Sequence, residues 1–519
     1  MLSRADFPPL RKYLLTGYAF EILRKEGKFM RLAGIDWVII AIFIAFITVI
    51  GFVASRKTHG KKEELLVAGR NVGMYVMLAS VVAGEWGAIT MVYQAEAGYI
   101  NGLSAMFLGI VIGIGSVLAG MGGWFSVWVR RVKIMTIPEL MEFRYGRAAR
   151  AIAGLAMVAA FLIMLGTFLQ GLGNMFGVFL GGDPKFIMII MLILALVYTV
   201  TGGMWSVVLT DLVQFLILGI VIPLCAILAI NYVGGWDALY DGVYAALGES
   251  GVNPVTCYGM PTIVYQIIYF FIAMAVYPTA LTRVCACRSV REGYKGSTLG
   301  YSSFLARAVF PVVVGAAGLI IVPGMDSGIT AYAETMIKIV PAGVLGLIVA
   351  GMLSAFMSTA DTYYMTCASM IPQDVIAPLL PKGKSLTDKQ TALLIRLGIL
   401  LTALCALYVA YFYQGGMIYW VVKLAELMFV SGVAVAFFFG MYWKKANQYG
   451  ACAALICGLA GAAITNYGLG LAAHLVFYWA MGASIAGMVV VSLLTQKNDP
   501  PKEIVGVYRE RRALANGND

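Results

Sequence analysis

Residues 80–91, SVVAGEWGAITM, set Glu85, Trp86 and two glycines in the middle of an apolar run of membrane-spanning length. A carboxylate at a bilayer centre costs about 2.5–3.5 kcal/mol on insertion scales, so such a residue should face protein, water or an ion. Three chemistries suit it. Its field can tune the binding of an alkali cation, it can pair with a cationic group on a solute, or it can bind a proton. A structural pair with a nearby donor is a fourth reading. Far along the chain, SAFMSTADTYY offers oxygen: Ala355, Ser358 and Thr359 are spaced i, i+3 and i+4, on one helix face. A hard cation takes several oxygen ligands, and carbonyl and hydroxyl dipoles supply them without a fixed counter-charge. Hydroxyls in spans also commonly bond back to their own helix, and spacing alone favours that second reading.

A second interruption, Tyr277, Pro278 and Thr279, lies in another apolar run, where proline removes a backbone donor and blocks a continuous helix. Secondary transporters built from inverted repeats place a broken helix at matching positions in each repeat, and the freed carbonyls and half-helix ends bind ions and substrate. Each break alone reads as packing; the matched pair with a buried acid reads as a site. A cavity between them is expected to involve Glu85, Trp86, Gly87, Gln170, Tyr277 and Thr279. Aromatic rings beside a carboxylate suit an ammonium group through cation–π attraction and charge.

Other candidates are weaker. Lys423 and Glu426 are spaced to neutralise each other, and Arg307 can reach an interface along its own stem. Cys285 and Cys287, with only two histidines in the chain, do not make a zinc site. No paired-acid, His-rich or nucleophile motif has a catalytic spacing, which argues against an enzyme.

The elements that must hold these residues are helices in lipid. The chain has 519 residues, 61% hydrophobic and 12% charged. Thirteen apolar runs of spanning length centre on Phe43, Val82, Gly113, Leu162, Leu192, Gly219, Ile272, Val312, Met352, Leu401, Val433, Gly458 and Gly482, and the short alternating segments of a barrel are missing. The expected organisation is an extension over 1–35, span 1 and its linker over 36–71, a first repeat over 72–230 (spans 2–6) and an extracellular loop over 231–260. A second repeat over 261–443 (spans 7–11), spans 12–13 over 444–496 and a tail over 497–519 complete it. Of the 37 Lys and Arg, 26 fall in the linkers after spans 1, 3, 7, 9 and 11 and in the tail, while the even linkers hold only Lys185 and Lys338. By the positive-inside rule the odd linkers and C-terminus are cytoplasmic and the start of span 1 is outside, in a plasma or inner membrane. The net charge of +11 follows from those linkers, which argues against nucleic-acid binding. Seven basic residues before span 1 break the pattern, and the expectation is that translation begins at Met30.

LLVAGRNVG, MTIPELMEFRYG, YTVTGGMWSVVLTDLVQ, LTRVCACRS and SAFMSTADTYY occur in order and spacing such that the chain, over roughly 36–495, resembles the sodium:solute symporter family, whose members include sodium/proline, sugar, pantothenate and choline transporters. The resemblance implies a leucine-transporter-type five-plus-five inverted repeat and alternating access coupled to Na+. It places the sodium carbonyls on Ala83, Trp86 and Ala355 and the hydroxyls on Ser358 and Thr359. It places Asp211 near the sodium exit route, with a capping or linker contact as the other reading, and Arg283 as an anchor at the cytoplasmic end of span 7. Asp361, two residues past Thr359, points off the sodium face, toward either the cavity or another span. An acid at the position of Glu85 is closest to the sodium/proline branch, and AVYPTALTR departs from the polar run of the sugar branch. The implied function is sodium-driven uptake of an amino-acid-like or nitrogenous solute by a monomer in the lipid bilayer. A carboxylate, sugar or vitamin solute, proton coupling, a channel and a membrane sensor stay open as alternatives.

Overall fold

The computed structural model describes residues 32–56, 61–87, 89–121, 134–325, 328–381, 384–412 and 430–500. Nine helices among them are long and apolar enough to cross a membrane; four shorter apolar helices, Met74–Glu85, Pro184–Val197, Met260–Met274 and Val430–Tyr442, fill the remaining places of the thirteen expected spans. No β-strand occurs among the described residues, as a chain that must satisfy its backbone in lipid requires. Residues 1–31, with Met30, and the tail beyond residue 500 lie outside the described residues.

Spans 2 and 7 are interrupted at matching places. Helix Met74–Glu85 stops at Trp86, whose ψ of 31° leaves the helical region, and span 2 resumes as a π-turn over Ile89–Tyr93 and a helix over Gln94–Asn101. Gly84 and Glu85, expected inside the break, instead form the last turn of the first half-helix. In span 7, helix Met260–Ala275 ends, Tyr277 is extended, and Pro278 opens helix Pro278–Ala286. That is where proline is tolerated, because the first turn has no donor to lose.

The other elements frame these breaks. Spans 5 and 6, within Pro184–Val233, are two helices that meet at a kink at Gly203, whose φ of 56° only glycine adopts without strain; a Cβ there would lie 3.0 Å from Leu65 O. The expected extracellular loop carries helix Trp236–Leu247. Helix Val344–Met370 of span 9 is the most enclosed element, with nearly every residue from Ile348 onward buried. A Cβ on its Gly351 would lie 2.7 Å from Val221 Cγ1, so a small residue lets spans 6 and 9 approach closely. Asp36 of span 1 caps this helix from outside the repeats, accepting hydrogen bonds from the Gly343 and Gly346 amides at 2.6 and 2.7 Å. At the opposite end Val72, just before span 2, pairs with the end of span 7. Its amide donates to Ala286 O and its carbonyl accepts from the Arg288 amide, both at 3.0 Å.

Candidate functional site

The first break meets span 9. Ser358 Oγ donates to Ala83 O at 2.8 Å and lies 3.1 Å from Ala355 O, while Thr359 Oγ1 donates to Ala355 O at 2.9 Å. Both readings of the hydroxyls are therefore realised at once: they bond back to their own helix, and Ser358 also reaches across to span 2. Gly87 sits against the same group, since a Cβ on it would collide with Thr359 Oγ1 and lie 2.9 Å from Ala355 O. Glycine there lets the broken backbone close on span 9. Four oxygens, Ala83 O, Ala355 O, Ser358 Oγ and Thr359 Oγ1, thus converge in a buried place against Gly87, one residue along the chain from Trp86, where the first half-helix ends. A hard cation among them would replace the hydroxyl protons as the positive partner of the carbonyls, so the donor set fits sodium.

One turn away lies a charged network that links four spans. Arg283 Nε donates to Ser80 Oγ at 2.7 Å, Nη1 to Thr279 O at 3.0 Å, and Nη2 to Thr362 Oγ1 at 2.6 Å and Asp211 Oδ2 at 3.2 Å. Asp211 Oδ2 also accepts from Ser80 Oγ, and Asp211 Oδ1 has no hydrogen-bond partner. Arg283 is 3% exposed and Asp211 0%, so this is an interior ion pair. Arg283, expected as an anchor at the end of span 7, stands in the last turn of helix Pro278–Ala286 and bonds that end to spans 2, 6 and 9. The arginine folds back into the bundle because Gly84 leaves room for it; a Cβ on Gly84 would stand 2.7 Å from Arg283 Nη2 and from Thr362 Oγ1. A narrow pocket with room for little more than a water molecule lies beside the pair, lined by Thr282, Arg283, Thr362, Thr366 and Ser369.

Glu85 and Thr279 are brought together across the two breaks, Thr279 Oγ1 donating to Glu85 Oε1 at 2.7 Å. Tyr277 OH lies 3.1 Å from Tyr363 OH, one turn beyond Thr359. Around them stands a ring cluster that the sequence reading did not identify. Tyr363 is 4.9 Å from Phe161 and 5.4 Å from Phe168 between ring centroids, Tyr277 is 5.9 Å from Phe161, and Tyr93 is 5.9 Å from Phe168. Tyr93 OH donates to Thr167 O at 2.8 Å. These aromatics lie on spans 2, 4, 7 and 9, and no spacing rule joins residues so far apart in the chain. Gln170 stands on the same helix as Phe161 and Phe168, next to Gly171, over which Tyr93 packs.

Asp361 is directed toward span 5, accepting from Thr199 Oγ1 at 2.5 Å. The Arg307 side chain, Lys423 and Glu426 lie outside the described residues. Cys285 and Cys287 are buried and not in a disulfide, and no group of His, Cys, Asp and Glu among the described residues could hold a metal ion.

Among the described residues, nine membrane-length helices and four shorter apolar ones, with two broken spans facing each other, make a leucine-transporter-type fold. The chain superposes on a Na+-coupled sialic acid symporter, solved in a substrate-bound outward-open state, with a TM-score of 0.78 at 19% identity, covering 89% of this chain and 98% of that one. It also matches Mhp1, a nucleobase-cation-symport-1 family transporter in a closed conformation with bromovinylhydantoin bound, with a TM-score of 0.54 at 15% identity over 86% and 98% of the two chains. The profile of the sodium:solute symporter family matches residues 65–458, and the chain belongs to that family, whose coupling ion is Na+. Curated relatives include sodium/proline symporters of Staphylococcus aureus strains Newman and JH9, each 24% identical over 441 residues, covering 81% of this chain and 84% of theirs.

Proposed function

We propose that this chain imports a small nitrogenous, amino-acid-like solute together with sodium by alternating access. The observation that carries the reading is the convergence of Ala83 O, Ala355 O, Ser358 Oγ and Thr359 Oγ1 at the span 2 break, next to the Glu85–Thr279 pair that joins the two breaks. Sodium binds Ala83, Trp86, Ala355, Ser358 and Thr359, and Asp211 receives it on the way to the cytoplasm. Glu85, Gly87, Gln170, Tyr277 and Thr279 hold the solute, with Glu85 facing its ammonium group and the aromatic cluster packing its apolar part. The relatives named for sodium/proline transport agree with an amino-acid-like cargo. The charge pattern of the linkers supports a chain with its N-terminus outside and C-terminus cytoplasmic in the plasma or inner membrane.

Sodium draws the broken span 2 onto span 9, which raises the fraction of carrier competent for solute; by linkage, solute raises sodium affinity by the same factor. Each positive charge that enters down a membrane potential supplies about 2.3 kcal/mol per 100 mV, enough to drive uphill uptake. Purified protein in proteoliposomes loaded with potassium tests the reading. Uptake of labelled amino acids, betaines and other nitrogenous solutes is screened with sodium, potassium or choline outside. Saturable uptake with sodium alone is expected, and it should be lost in a Ser358→Ala/Thr359→Ala variant. Equal uptake in all three salts, or unchanged uptake by the variant, would overturn it.

A further inference from the structure

Glu96 lies in the second half-helix of span 2 and has no part in the site described above. It is 8% exposed, its Oε2 is buried without a hydrogen-bond partner, and no ion pair involving it occurs among the described residues. A carboxylate oxygen buried with no donor is rare, because removing it from water is costly unless something binds it. Gln94, 4% exposed, has a buried Oε1 without a hydrogen-bond partner two residues earlier on the same half-helix. Gly328 covers Glu96 closely: a Cβ there would lie 3.1 Å from Glu96 Cγ, so a larger residue would press on the side chain. Glu96 shares a helix face with Tyr93, three residues before it, which adjoins Phe168 and so the aromatic cluster. At about 1.5 Å per residue, nine residues place Glu96 roughly 13 Å from Gly87 along the span. It lies toward the end that carries Gly102 and helix Trp236–Leu247, the outer end in the orientation proposed above.

We propose that Glu96 is an outer sodium subsite, where the ion is held by the carboxylate and its remaining water before it passes to the oxygens at the break. A carboxylate that retains lone pairs suits a hard monovalent cation, and a single protein ligand makes the site weaker than the one below it. Across about 13 Å at an effective dielectric of about 20, its charge also favours sodium at the break by roughly tenfold at low salt. The subsite rests on the sodium reading of Ser358 and Thr359, and the test separates the two.

Binding of ²²Na⁺ to purified protein is measured for the wild type, E96Q, the Ser358→Ala/Thr359→Ala variant and the triple variant, with ionic strength held by choline chloride and folding checked by thermal unfolding. The double variant should lose the tight site and keep a weaker one that the triple variant lacks. E96Q alone should raise the half-saturating sodium concentration three- to tenfold and slow association, with both effects shrinking as salt rises. The subsite is refuted if residual binding in the double variant is indifferent to E96Q. It is equally refuted if no residual binding exists and E96Q alone changes neither rate nor affinity. Full-affinity binding by the double variant would instead overturn the sodium reading of the break.

Discussion

Replacing Arg283 with methionine, which keeps the length of the side chain and removes its charge, tests the buried pair that ties spans 2, 6, 7 and 9. The variant deletes four hydrogen bonds, to Ser80, Thr279, Thr362 and Asp211, and strands the Asp211 carboxylate, whose Oδ1 already has no partner. At the 3.2 Å separation of the pair, Coulomb's law with an effective dielectric of about 20 gives an attraction of about 5 kcal/mol. Breaking a buried pair by removing one partner typically costs about 3–5 kcal/mol, because the remaining charge is uncompensated. Asp211→Asn in the same background removes that charge, so the double variant should recover most of the loss and show a coupling of about 2–4 kcal/mol. Equilibrium unfolding of the detergent-solubilised protein, followed by tryptophan fluorescence, reads all four corners of the cycle. A loss below about 1 kcal/mol for R283M, or a double variant no more stable than R283M, would show that the pair is not the bond the geometry describes.

Gly87→Ala places a Cβ against Thr359 Oγ1 and 2.9 Å from Ala355 O, so the break can no longer close on span 9. Sodium affinity should fall more than tenfold, read as loss of sodium-dependent stabilisation in thermal unfolding, and unchanged affinity would refute the contact. Lys62, in the linker before span 2, has its pKa lowered from 10.5 chiefly by burial, only partly offset by nearby carboxylates such as Glu139 and Asp374. The folded protein then binds fewer protons than the unfolded chain between that lowered pKa and 10.5, so stability rises with pH across the window. Lys62→Met should remove that rise, and identical pH profiles of unfolding between pH 8 and 10.5 would contradict it.

Sequence showed the architecture because lipid imposes it. A span needs about 20 apolar residues, a break needs glycine or proline, and both signals are local. That Ala355, Ser358 and Thr359 share one helix face was legible for the same reason, while a sodium role for them came only from the family resemblance. The resemblance placed Arg283 at the end of span 7 but not the depth of its side chain, which depends on the room left by Gly84, about 200 residues away. The aromatic cluster had no signature either, since its members lie on four spans and tyrosine and phenylalanine also serve ordinary packing. Asp36 was invisible for a related reason: its partners are backbone amides, and sequence does not show which helix end a carboxylate will meet.

The hydrogen bonds also indicate which parts move together. The first half-helix of span 2 and the second half-helix of span 7 are joined at Val72 by two backbone bonds, by Arg70 Nη1 to Cys285 O at 3.2 Å, and by Arg283 to Ser80. Span 9 is held separately, its far end capped by Asp36 of span 1. Near the break, Ser358–Ala83 and Arg283–Thr362 bridge the joined halves to span 9. In the proposed reading sodium at the break strengthens the first bridge, so its differential affinity for the closed form would arise at the span 2 carbonyls of Ala83 and Trp86, since a ligand shifts a conformational equilibrium only by that difference. The second bridge, Arg283–Thr362, uses none of the oxygens proposed for sodium.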